Sequence, residues 1–208
     1  MIPTLALAAL LAASPPAERL FYAVDDAAGV ASLVAHGAQV DVLAPQVLTL
    51  EADGTLAGAL PPALAAAARA CRIPLVPLVV NPGFRPEPIL EVLDSPERQA
   101  RAIAALLSRA RAEGWAGVQF DFEHIPAAAR DRYTNFGRAA GAAFRGAGLS
   151  LSVAVVAQHS QEPGAYAPGF WEEWAGVFDY AALAEQGAEP AGQVAADVFR
   201  IIDVQKID

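Results

Sequence analysis

Two carboxylates two positions apart carry the clearest chemistry in this chain: Asp121 and Glu123, in Gly117-Val118-Gln119-Phe120-Asp121-Phe122-Glu123. Polar and apolar residues alternate through that stretch, which is the period of a strand buried on one side. Successive side chains on a strand point to opposite faces, so Gln119, Asp121 and Glu123 share one face and Val118, Phe120 and Phe122 the other. Two carboxyls in apolar surroundings repel each other and resist desolvation, so one of them is expected to keep its proton and act as an acid. Their separation along a strand is about 6.6 Å, with both side chains leaving from one side. Carboxyls placed that way cannot stand on opposite sides of a scissile bond as nucleophile and acid. Either a third group on another strand completes the site, or the substrate brings its own nucleophile. The alternative without chemistry is that Asp121 and Glu123 cap the next helix or pair with Arg130 or Arg132.

Further candidates lie where other strands are expected to end: Asp25 and Asp26, Asn81, Gln158 and His159. Each is read either as a substrate contact or as a cap for the following helix. His124 is expected to face away from Glu123 and to pack. Tyr166, Phe170, Trp171 and Trp174 form an aromatic group, and the spacing of the two tryptophans suits a core stripe of a helix. Cys71 is the only cysteine, and His36, His124 and His159 are too far apart for a short-spaced metal motif. No metal and no cofactor are therefore expected.

Blocks of strand and helix character alternate around these residues. Strands are expected at Leu20–Val24, Val40–Leu50 (interrupted by Pro45), Pro74–Val80, Gly117–Phe122 and Leu149–Ala157. Helices are expected at Pro61–Cys71, Pro126–Gly146 and Phe170–Ala184. The best-marked helix has Asp94 and Ser95 as cap candidates, Pro96 and Glu97 in its first turn, Ile103, Leu107 and Ala110 on one face, and Gly114 at its end. Strands joined by helices of this length imply crossovers and a parallel sheet. No G-x-G-x-x-G follows the first strand, so a dinucleotide site is unsupported and a barrel is favoured over an open doubly wound sheet. A (β/α)8 TIM-type barrel has eight strands in roughly 250 residues. The expectation here is an incomplete barrel holding about the first five β/α units.

Composition narrows the partners. The chain has 208 residues, 55% hydrophobic and 18% charged, with a formal net charge of −9. That excludes a disordered chain. The acidic balance argues against nucleic acid, which calls for clustered Lys and Arg. Ile2 to Ala13 is apolar but too short to span a bilayer. Residues 1–17 read as an export signal or as a packed N-terminal segment, which points to secretion or the cell envelope, with the cytoplasm as the alternative.

The stretch Trp115-Ala116-Gly117-Val118-Gln119-Phe120-Asp121-Phe122-Glu123 resembles the fourth-strand signature of glycoside hydrolase family 18, the chitinase-like barrels, written Asp-Gly-x-Asp-x-Asp-x-Glu. It is most similar to the bacterial branch related to spore-germination hydrolases and to barrels fused with polysaccharide-synthesis modules. Phe21-Tyr22-Ala23-Val24-Asp25-Asp26, Val40-Asp41-Val42-Leu43-Ala44-Pro45, Arg132-Tyr133-Thr134-Asn135-Phe136, Leu149 to Val155 and Phe178 to Ala184 extend the likeness over residues 18–184. The resemblance implies that Glu123 protonates a glycosidic oxygen while Asp121 orients the substrate's N-acetyl group, whose carbonyl attacks the anomeric carbon. It implies β-linked N-acetylglucosamine glycans as substrates; Gln119 on the same strand face, and Asp25, Asp26, Asn81 and Gln158 at the expected strand ends, are the candidate binding residues.

Ala116 and Gln119 stand where the family pattern has aspartates. Gln119 can hydrogen-bond Asp121 but cannot share a proton with it. Residues 185–208 lack the Met-x-Tyr-Asp motif expected on a sixth strand, so the resemblance implies a barrel shortened at its C-terminus. A non-catalytic glycan-binding barrel and an inactive fragment with unpaired sheet edges are the alternatives to a hydrolase.

Overall fold

The parallel strands follow chain order across one sheet. The computed structural model describes residues 19–23, 26–155 and 200–203. Strand β1 (Leu20–Ala23) leads through helix α1 (Ala27–His36) to β2 (Val42–Leu50), on whose end the short β3 (Leu56–Ala57) folds back antiparallel. Helix α2 (Pro62–Cys71) precedes β4 (Leu78–Val80), and α3 (Pro86–Leu93) with α4 (Pro96–Glu113) precede β5 (Gly117–Asp121). Helix α5 (Arg130–Gly146), β6 (Ser150–Val155) and β7 (Arg200–Asp203) follow. The sheet order is β1-β2-β4-β5-β6-β7, with every neighbouring pair parallel. A doubly wound sheet would reverse direction at a switch point, and no reversal occurs among the described strands.

The five expected strands are all present. The expectation that strands stop there is corrected by β7, which pairs Ser152↔Arg200 through Val155↔Asp203. It arises from Arg200-Ile201-Ile202-Asp203, a β-branched pair between charges. The expected break at Pro45 is also corrected. Pro45 stays inside β2 opposite Ala23, and the register against β4 slips one residue later, between Gln46 and Leu48.

Helix α4 forms as its ends dictate. The Ser95 hydroxyl accepts from the Arg98 amide, Pro96 needs no donor in the first turn, and Gly114 closes the helix in a left-handed conformation (φ 68°). Its buried stripe is Ala102, Leu106 and Ala110, while Ile103 and Leu107, expected at its centre, are only half-buried at its margin. Sequence reading passed over α1 and α3. The first is capped by Asp26, and the second carries Pro86 in its first turn and buries Ile89, Val92 and Leu93.

Two apolar clusters hold the helices on the outer face of the sheet. Leu33, Leu64, Ala67, Ala68 and Ile73 seat α1 and α2 with Leu43 of β2. The larger cluster joins α3, α4 and α5 to Leu48, Val79, Val118, Phe120, Phe122, Leu151 and Val153. Burying side chains of this size stabilises by about 1.5–3 kcal/mol each. Close approach of β5 to β6 depends on Gly117, where a methyl group would lie 2.1 Å from both the carbonyl oxygen and Oγ of Ser150.

Candidate active site

Strand β5 divides its side chains as the alternation requires. Phe120 stacks on Phe122 with ring centroids 4.9 Å apart and on Phe136 of α5 at 5.6 Å, and Phe122 meets Tyr133 at 5.9 Å. The outward face is thus committed to the helices, which leaves Gln119 and Asp121 on the inner face. Gln119 is fully buried between its register partners Leu78 and Ser152. Among the described residues, neither its carboxamide nor the Ser152 hydroxyl has a hydrogen-bond partner. One step further along the strand, Asp121 lies opposite Val80 and is only half-buried.

Tyr22 of β1 faces the same side as Asp121. Partial burial raises the pKa of its phenol well above the ordinary tyrosine range, and the negative charge of Asp121 raises it further. Two strands, β2 and β4, separate β1 from β5 in the sheet. A flat sheet would hold their axes about 14 Å apart. The charge of Asp121 therefore acts on Tyr22 across two intervening strands. Sequence reading missed Tyr22 as a site residue. Its signal was the period-2 position on β1, where it pairs with the buried, inward Ala44.

Glu123 lies just past the end of β5, half-exposed, between the buried anchors Phe122 and Ile125. Its main chain is held from the end of β4. The Glu123 amide donates to Asn81 Oδ1 at 3.0 Å, and Asn81 Nδ2 donates to the Glu123 carbonyl at 3.0 Å and to the Arg85 carbonyl at 2.7 Å. Asn81 was expected to bind substrate. Its side chain is fully buried, and both of its N–H donors and its oxygen are engaged inside the fold.

His124 was expected opposite Glu123 and packed. It is instead exposed, with its Nε2 3.8 Å from Glu123 Oε2, an ion pair whenever the imidazole is charged. Strand geometry ends at Asp121, and His124 takes a left-handed conformation (φ 58°) that turns its side chain back toward Glu123. Such a conformation is uncommon outside glycine, although histidine adopts it more readily than most residues.

The remaining candidates separate cleanly. Arg132 pairs with Asp94 and Arg130 with Asp131, so the pairing suggested as a bland role for Asp121 and Glu123 is filled by other acids. Asp26 caps α1 by accepting from the Gly29 amide, which is the helix-cap role weighed for it. Gln119 lies deeper than Asp121, so it can support that carboxylate from below, while a direct substrate contact would need it at the surface. Asp25, Gln158, His159, Tyr166, Phe170, Trp171 and Trp174 lie outside the described residues. Among the described residues, no group of three or more His, Cys, Asp or Glu is arranged to hold a metal, and no helix is long and apolar enough to cross a membrane.

No family model and no curated protein matches the chain. Solved structures do. A chitinase from Chromobacterium violaceum superposes with a TM-score of 0.67 at 24% identity, over 81% of this chain and 53% of that one. A class V chitinase from Pseudomonas fluorescens gives 0.67 at 23% identity, over 81% and 51%. The spore cortex-lytic enzyme SleL of Bacillus cereus gives 0.62 at 22% identity, over 69% and 36%. The chain thus spans about half the length of these chitinases, and less of the cortex-lytic enzyme. The likeness establishes that this chain has the parallel α/β fold found in chitinases and spore cortex-lytic enzymes.

Proposed function

We propose that the inner face of this sheet is the catalytic half of a family 18-type glycoside hydrolase acting on β-linked N-acetylglucosamine glycans. The reading is supported by Asp121 at the carboxyl end of β5 with Glu123 two residues on, and by the influence of the Asp121 charge on Tyr22. Active sites of β/α barrels lie at that end of the strands. In this reading the sheet is part of a (β/α)8-type barrel, and residues 1–17 direct export.

Glu123 protonates the glycosidic oxygen as the bond to the anomeric carbon breaks. Its half-exposed position suits an acid that must meet the substrate and then pass a proton back from water. Asp121 accepts the N–H of the substrate's acetamido group and turns the acetamido oxygen toward the anomeric carbon. That oxygen supplies the opposing nucleophile that two carboxyls on one strand face cannot supply. Water then opens the cyclised intermediate from the same face, so configuration is retained. Gln119, one position deeper on the same face, is neutral and cannot share a proton with Asp121.

The acetamido group is what distinguishes this mechanism in an assay. N-acetylchitotetraose and its de-N-acetylated counterpart are to be compared as substrates by product chromatography. The expected result is cleavage of the acetylated oligomer only. Equal cleavage of both would contradict substrate assistance and the role given to Asp121.

A further inference from the structure

We infer that Asn81 is the positioning residue of the acid, fixing the peptide on which Glu123 is carried; the inference rests on the reading of Glu123 as acid. The hydrogen-bonded register of β4 and β5 runs as far as Val80↔Asp121. Beyond it a side chain takes over the tie: Asn81 donates to the Glu123 carbonyl and accepts from the Glu123 amide, both at 3.0 Å. A carboxamide has one acceptor oxygen and two N–H donors, and this one matches both polar groups of a single residue.

The second Nδ2 hydrogen bond, 2.7 Å to the Arg85 carbonyl, comes from the turn that follows β4. That turn doubles back within four residues because Gly83 and Phe84 are both left-handed (φ 59° and 55°). Two exit loops are thereby joined through one fully buried side chain.

The loop after β5 does not need Asn81 merely to stay in place. Phe122 and Ile125, on either side of Glu123 and His124, are 2% and 3% exposed and anchor the segment in the apolar core. What those anchors leave open is the rotation of the residues between them, and that rotation sets the direction of the Glu123 side chain. Asn81 removes that freedom. A displacement of about 1 Å at a reacting group can cost on the order of 100-fold in rate.

The test compares two substrates that differ in their need for an acid. N-acetylchitotetraose loses an alcohol, which needs a proton to depart. The 2,4-dinitrophenyl glycoside of diacetylchitobiose loses a phenolate stable enough to depart without one. Asn81→Ala should lower kcat/KM on the tetraose by about 10- to 100-fold and leave kcat/KM on the aryl glycoside, which reports only the departure of the phenolate, within about threefold. A loss of the same factor on both substrates would overturn the inference and leave Asn81 a purely structural residue. Glu123→Gln run alongside separates this from the parent reading. If Glu123→Gln shows the leaving-group dependence and Asn81→Ala does not, only the positioning role fails. If the unaltered chain cleaves neither substrate, or Glu123→Gln is fully active, both fall.

Should Asn81→Ala not fold, amide exchange in the unaltered chain decides. The Glu123 N–H should be protected at least about 100-fold against its unstructured rate, because it is bonded to a buried oxygen. Exchange at the unstructured rate would overturn the inference.

Discussion

Asp121 owes its character to a carboxylate lying at the boundary between a buried layer and an open one. Below it, Gln119 and Ser152 are buried and neutral; beside it, Tyr22 feels its charge. A phenol next to a negative charge is harder to ionise, so removing that charge must bring its titration down. Asp121→Asn should therefore lower the Tyr22 pKa toward the ordinary tyrosine range, read by ultraviolet or NMR titration. An unchanged Tyr22 titration would mean that the two side chains do not face one another. The division of β5 into inner and outer faces was readable from alternation alone, since Val118, Phe120 and Phe122 are apolar and their neighbours are not. His124 was misread because alternation was carried past Asp121, where the strand stops. Asn81 was misread because position at a strand end does not tell whether a polar side chain looks outward or ties two loops together.

Elements in this chain form where their ends and periods agree. Ser95, Pro96 and Gly114 bracket α4, and those signals were legible. Helix α1 was not, since its residues are largely Ala, Gly and Val and only Leu33 is buried. Contact between β5 and β6 was unreadable in the sequence because it depends on the absence of a side chain at Gly117. Gly117→Ala should destabilise the fold by about 1–3 kcal/mol in urea unfolding, as the Ser150 backbone must give way. A loss below about 0.5 kcal/mol would show that the strands can separate cheaply. The entries of β1 and β2 are joined by Arg19, whose amide and guanidinium hold the Asp41 carboxylate. The guanidinium hydrogen bond, then the amide, pulls the Asp41 pKa down to about 2. A depressed carboxylate stabilises above its unfolded value and loses that contribution as pH falls toward about 2. Arg19→Gln should raise the Asp41 titration midpoint toward the usual carboxylate range, followed by carboxyl carbon NMR. No movement would mean that the pair does not persist in solution.

For the whole molecule, winding in one direction is what turns separate strands into a site. Parallel pairing in chain order keeps the carboxyl ends of the described parallel strands along one edge of the sheet, and the charge of Asp121 reaches Tyr22 across two strands. Winding was legible as strand and helix alternation. The sixth parallel strand was not, because residues 185–208 were compared with a motif they lack, while their β-branched Ile201 and Ile202 carried the strand signal. The central claim is that this rim cleaves glycans with Glu123 as acid. The measurement that meets it most directly is proton NMR of N-acetylchitotetraose during incubation with the unaltered chain and with Glu123→Gln. The account predicts new reducing ends that appear first as the β-anomer, and a loss of rate of at least about 100-fold in Glu123→Gln. No cleavage by the unaltered chain, initial α-anomer, or equal rates from the two proteins would contradict it.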